Sequence, residues 1–300
     1  MARRGRVSEK KYKTPEAFRT AIEARAKKLR NETGTGLDMQ RRKFAFDAFL
    51  CRVAVSGTPI VLKGGYLLHL RYNVGVRPTK DLDAALQETG LETLNPKEIA
   101  RHMRNALQAV ALTPVDDFFS FEISESTADL GLGREFTGYR FSVVSRIGSR
   151  VFDSFHIDCT TGDALINPFD IITVGGGLTF AGIPTAKVNA IREGQHFAEK
   201  LHAFCRPRTR QNSRVKDLFD MMLFVKQGVE HSAVARALPK VFGMGGNLTI
   251  PKTLPKPPQE WGLSYDEMAR DNKLEHTFDE ACRILARFYG DVLSILNAPH

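Results

Sequence analysis

The chain has 300 residues, 42% of them apolar and 26% charged, a globular balance with room for one large domain or two moderate ones. No apolar run reaches the ~18 residues that a membrane span needs, and the basic N-terminus lacks the apolar segment of a secretory signal. A cytoplasmic protein with no membrane partner is therefore expected. The formal charge of +9 sits wholly in residues 1–43, which carry 14 Lys and Arg against 5 Asp and Glu; such a segment attracts polyanions, RNA or DNA first among them. Cys51, Cys159, Cys205 and Cys282 are scattered without a CxxC pair, which excludes a zinc motif and leaves no need for a disulfide framework.

In chain order, residues 15–31 read as a helix, with Pro15 near its start and Gly34 beyond its end. Residues 38–54 form a second helix, with Asp38 as its expected N-cap and Phe44, Phe46, Phe49 and Leu50 on its apolar side. "TPIVLKGG" reads as a short strand closed by glycines, residues 65–72 as a short helix, and "TKDLDAAL" as a second strand. "PKEIARHMRNALQAVAL" is helical, with Asn95 as N-cap and Pro96 in the first turn. Three alternating stretches, "FFSFEISE", "GYRFSVVSRIG" and "VFDSFHIDCTT", then extend the sheet with antiparallel strands. From about residue 185 the pattern is helical again. "EGQHFAEKLHAFCR" and "SRVKDLFDMMLFVKQG" are amphipathic, Ser213 is the expected N-cap of the second, and further helices cover 230–242 and 276–296. The Gly- and Pro-rich run between those last two reads as irregular. The expected organisation is a basic helical arm plus α/β (α+β) core over 1–180, followed by a helical domain over 181–300.

The chemistry concentrates in "KGGYLLHLRYNVGVRPTKDLDAAL", residues 63–86. Alternate strand positions share a face, so Asp81 and Asp83 point the same way while Leu82 points into the core. Two carboxylates so placed repel each other unless a cation joins them, and a hard divalent ion satisfies both. Lys63, Gly64 and Gly65 close one strand and open a helix, where backbone N–H groups can approach a phosphate. Arg77, Thr79 and Lys80 precede the aspartates and add cations and a hydroxyl. The set suits a metal-bound triphosphate. The eight histidines show no HxxxH or HExxH pattern.

These residues resemble the first motif of the polymerase-β-like nucleotidyltransferase superfamily. "KGG…RPTKDLDAAL" is similar in particular to the AbiEii/AbiGii-type nucleotidyltransferase toxins, which include mycobacterial members that modify tRNA. A second block, "EKLHAFCRPRTRQNSRVKDLFD", strengthens the resemblance: Lys200 matches the family's lysine and Asp217 its later aspartate, with Asp220 one helical turn on. The resemblance implies a mixed sheet with flanking helices and transfer of a nucleotide from an NTP. It implies Mg²⁺ (or Mn²⁺) on Asp81 and Asp83, with Asp81, Asp83, Lys200 and Asp217 catalytic. Lys63, Gly64, Gly65, Thr79 and Lys200 would meet the nucleotide. It also implies a cognate antitoxin and an RNA acceptor, the tRNA 3′ end above all, so that translation is blocked. Tyr66 departs from the pattern, standing where many superfamily members carry serine beside the glycine, which shifts the turn's role toward backbone N–H groups. Asp158, at the end of an expected strand, is the candidate third carboxylate, with Asp153 and Asp163 as rivals. Two other readings stand beside this one: a nucleotidyltransferase acting on a small molecule or protein, and a non-enzymatic nucleic-acid-binding protein.

Overall fold

The alternating segments in the middle of the chain join into one mixed sheet, and the helical segments cover it. The computed structural model describes residues 11–72, 77–88, 90–130, 137–162, 165–206, 214–244 and 248–298; Asp163 and Ser213 lie outside the described residues.

α1 (Pro15–Thr33) starts at Thr14, whose side chain accepts from the Ala17 N–H at 3.2 Å, and ends at Gly34 in the left-handed region, φ 72°. It buries Phe18, Ile22 and Ala26 and leaves Lys27, Lys28 and Arg30 exposed. The basic segment is thus partly anchored: burying Phe18 and Ile22 contributes about 1.5–3 kcal/mol each. α2 (Leu37–Ser56) is capped by Gly36 and not by Asp38, a correction to the sequence reading. Asp38 falls in the first turn, where its charge still complements the helix dipole and pairs with Arg41 at 3.3 Å.

β1 (Ile60–Lys63), α3 (Gly64–Tyr72) and β2 (Asp81–Leu86) follow, then α4 (Pro96–Leu112), which Asn95 and Glu98 close with a reciprocal capping box. β3 (Phe119–Asp129), β4 (Thr137–Ile147) and β5 (Arg150–Thr161) form an antiparallel meander. β6 (Asp170–Val174) and β7 (Ala186–Ala190) complete, among the described residues, a seven-stranded sheet of order β3-β4-β5-β2-β1-β7-β6. β5 and β7 run parallel to their central neighbours β2 and β1, and the other pairings are antiparallel. The sheet therefore continues past residue 180 to Ala190.

Helices supply the rest: α5 (Glu193–Cys205), α6 (Val215–Lys226), α7 (His231–Met244), α8 (Trp261–Asp271) and α9 (Phe278–Leu296). α8 starts directly after the Pro-rich run, whose described residues are irregular up to Glu260. Two apolar cores result. One joins α1, α2 and α4 to the sheet; the other is built by α5 to α9. α3 serves both, giving Tyr66 and Leu67 to the first and Leu68 to the second. Among the described residues, no helix is long and apolar enough to cross a membrane.

Candidate active site

β2 places Asp81 and Asp83 on one face of the sheet and buries Leu82, 1% exposed, on the other. Register then assembles the site. Lys63 on β1 opposes Asp83, Asp83 opposes Asp158 on β5, and Asp158 opposes Arg140 on β4. Directly opposed residues share a face and neighbouring strands lie about 4.8 Å apart, so four charged side chains stand in one row across four strands. Asp81 belongs to the next row, opposite His156.

A tight turn hangs over this row. Gly64 has φ +68°, and a Cβ built there would lie 1.9 Å from Asp83 Oδ2. Only glycine gives both the left-handed backbone and the space. The Gly65 N–H donates to the same Oδ2 at 3.2 Å. A Cβ on Gly65 would meet Thr79 Oγ1 at 3.1 Å, so the second glycine lets Thr79 sit against the turn. The first N–H groups of α3 thereby open directly beside the carboxylates. Tyr66 turns inward instead, 2% exposed, with its hydroxyl donating to Asp47 at 3.3 Å.

The carboxylates differ in state. Burial and the neighbouring Asp158 push the Asp83 carboxyl up to about 6, against the opposing pull of Lys200, the Gly65 N–H and Lys63. Asp158 is beside Asp83, as expected for the third carboxylate, but both its oxygens accept from Arg140, Nε and Nη2 each at 2.7 Å. The same Nη2 reaches Asp81 Oδ2 at 3.3 Å, and His156 Nδ1 lies 3.4 Å from Asp81 Oδ1. The hydrogen bonds that Arg140 donates to Asp158 raise the Arg140 pKa and outweigh its burial. Asp153, the rival carboxylate, lies nearer the start of β5 and is held by Arg42 at 2.9 and 3.0 Å. Among the described residues, no three acidic, histidine or cysteine side chains form a ready-made metal cage. The donors on offer are the hard oxygens of Asp81 and Asp83, which the strand sets on one face. The pair fits a divalent cation.

The helical half contributes the remaining charges. Phe197, Leu201 and Phe204 anchor α5 in the second core and turn Lys200 toward the site. Lys200 Nζ lies 2.8 Å from Asp220 Oδ2 and 3.3 Å from Asp217 Oδ1. Burial lowers the Lys200 pKa, but Asp220 and Asp217 more than restore it, so the net direction is upward. Asp220, fully buried, also accepts two hydrogen bonds from Arg77, at 3.0 and 2.8 Å. Its burial favours the neutral acid, yet the two cations dominate and lower its pKa. Asp217, 3% exposed, is shared by Lys200 and Arg214, the latter at 3.0 Å. Lys63 Nζ lies 3.7 Å from Glu199 Oε2 and donates to Thr160 Oγ1 at 3.4 Å. Sequence reasoning found both blocks but missed Arg140, Glu199 and the Arg77–Asp220 clasp, because strand register and tertiary packing, not local spacing, bring these residues to their partners.

Known proteins share this fold. MenT4, a nucleotidyltransferase toxin from Mycobacterium tuberculosis, superposes with a TM-score of 0.52 at 17% identity, covering 93% of this chain and 99% of its own, so the fold is that of a nucleotidyltransferase toxin. Residues 48–283 match the family described as nucleotidyl transferase AbiEii toxin, type IV toxin–antitoxin system, and the chain belongs to that family. No curated protein sequence matches it. The chain is thus a nucleotidyltransferase and the toxin of a toxin–antitoxin pair, and membership implies an NTP substrate and an antitoxin partner.

Proposed function

We propose that this toxin transfers a nucleotide from an NTP to RNA, at the 3′ acceptor end of tRNA, with a divalent cation, Mg²⁺ or Mn²⁺, on Asp81 and Asp83. The observation that carries the reading is the Gly64–Gly65 turn set directly over Asp83. It brings the backbone donors of a helix start and a carboxylate pair to one point, as a metal-bound triphosphate needs. The metal, when bound, supplies Lewis-acid polarisation of the α-phosphate.

The chain's own residues do the rest. The N–H groups of the turn and the Thr79 hydroxyl face phosphate oxygens. Lys63 and Lys200 neutralise the β- and γ-phosphates as charge builds on them. Asp217 and Asp220 hold Lys200 charged and aimed, and Asp158 lies in reserve beside Asp83. The acceptor hydroxyl oxygen bonds to the α-phosphorus, its proton passes to solvent, and the bond to the bridging oxygen breaks, releasing pyrophosphate. The exposed cations of α1 supply attraction for an RNA backbone. Modified tRNA no longer serves translation in the cytoplasm, and the antitoxin opposes that effect. The sheet through Ala190 and the helices from Glu193 act as two units, one carrying the metal row and the other the lysine.

The test is a matrix of labelled NTPs against total tRNA with Mg²⁺. Wild type is expected to label tRNA and Asp81→Asn to lose the signal. Absence of label with wild type, or equal labelling by D81N, overturns the reading.

A further inference from the structure

Arg140 does more than cover the sheet face. Its guanidinium grips Asp158 with two 2.7 Å bonds and reaches Asp81 at 3.3 Å. Register enforces this, since Arg140 directly opposes Asp158, which directly opposes Asp83. Two of the three clustered carboxylates are thereby committed to one cation of the chain. Asp83 is the member it does not bond. The guanidinium is one-third exposed, so the grip can open into solvent without disturbing the core.

We propose that Arg140 is a built-in competitor of the divalent cation: it neutralises Asp158 and Asp81 until the metal takes the acidic cluster, and thereby sets how much metal the toxin requires. The inference rests on the reading that Asp81 and Asp83 bind the metal. It assigns Arg140 a positioning role with two consequences. The carboxylates stay aligned when no metal is bound, because the bidentate fork fixes Asp158 and the bond to Nη2 fixes Asp81. Metal entry must break at least the Asp81 contact, a charge-assisted hydrogen bond in a partly desolvated place. Losing such a competitor strengthens cation binding by about tenfold.

The experiment is calorimetric titration of Mn²⁺ into the full-length protein, without nucleotide, for wild type, Arg140→Gln, Arg140→Lys and Asp81→Asn. The expected result is Mn²⁺ binding about tenfold tighter in R140Q than in wild type. R140K, which keeps a charge but loses the fork, should fall between them and guard against a folding defect in the glutamine variant. R140Q should also need less metal to reach half-maximal transfer. Unchanged or weaker binding in both arginine variants, with wild type binding and D81N not, overturns the competitor role and leaves the metal site standing. Absence of Mn²⁺ binding in wild type and in R140Q overturns both the role and the metal reading beneath it.

Discussion

Gly64→Ala tests the turn most directly. The substitution adds one methyl group at φ +68°, a conformation that costs a residue with a Cβ about 1–2 kcal/mol. That methyl would sit 1.9 Å from Asp83 Oδ2, so the carboxylate must retreat by about 1.1 Å merely to reach 3.0 Å. The retreat also breaks the Gly65 N–H bond to the same oxygen, worth a further 1 kcal/mol or so. The combined loss is about 2–3 kcal/mol, a fall of about 3–5 °C in Tm for a chain of 300 residues. Activity should suffer more than stability, because a displacement of about 1 Å at a reacting centre costs on the order of 10²-fold. Steady-state nucleotide transfer and a thermal melt on the same preparation measure both. Gly65→Ala is the internal comparison: its new methyl meets Thr79 Oγ1 at 3.1 Å with no left-handed strain, and the loss should stay below about tenfold. If G64A transfers within about threefold of wild type, the turn does not position Asp83 as argued.

Further outcomes follow from the charged groups. Asp220→Asn leaves Arg77 and Lys200 facing a neutral amide in a buried place and should cost about 3–5 kcal/mol in urea unfolding; a loss below about 1 kcal/mol refutes the clasp. Because burial pushes the Asp83 carboxyl up to about 6, Mn²⁺ affinity should weaken by about tenfold per pH unit below that value, and Asp83→Asn should abolish the binding itself. In metal-free protein the sign is opposite for folding. The folded state binds the Asp83 proton better than the unfolded chain does, so that contribution to stability is present below the ordinary carboxylate pKa and is lost as pH rises through about 6. Replacing Lys27, Lys28 and Arg30 together by Gln should reduce the slope of log affinity for RNA against log salt by about two, with Tm unchanged.

Much of this architecture was legible in the chain because its signals are local. Asn95 and Glu98 stand three apart, and the capping box formed. Asp81, Leu82 and Asp83 alternate, and the strand put both carboxylates on one face. The three aromatic stretches gave β3, β4 and β5. What escaped depends on distant pairing. "DIITV" and "AKVNA" are five-residue strands beside glycines and prolines, and β7 owes its place to a parallel pairing with β1 that no local pattern announces. Arg140 was visible as a strand residue, but its partners follow only from register across β5 and β2. α6 differed in degree: Leu218 and Met222 pack inward, as an amphipathic helix requires, yet Asp217 and Asp220 are buried too, because Lys200, Arg77 and Arg214 close over that side.

α3 begins at the glycine turn and lends consecutive residues to two separate apolar cores, Leu67 to one and Leu68 to the other. The Arg77–Asp220 clasp adds a second rivet between the same halves. Neither half is then a portable module. A crossover that exchanged the helical half for a relative's would have to carry a matching partner for Leu68 and for Arg77, or else the lysine would arrive out of line with the carboxylates.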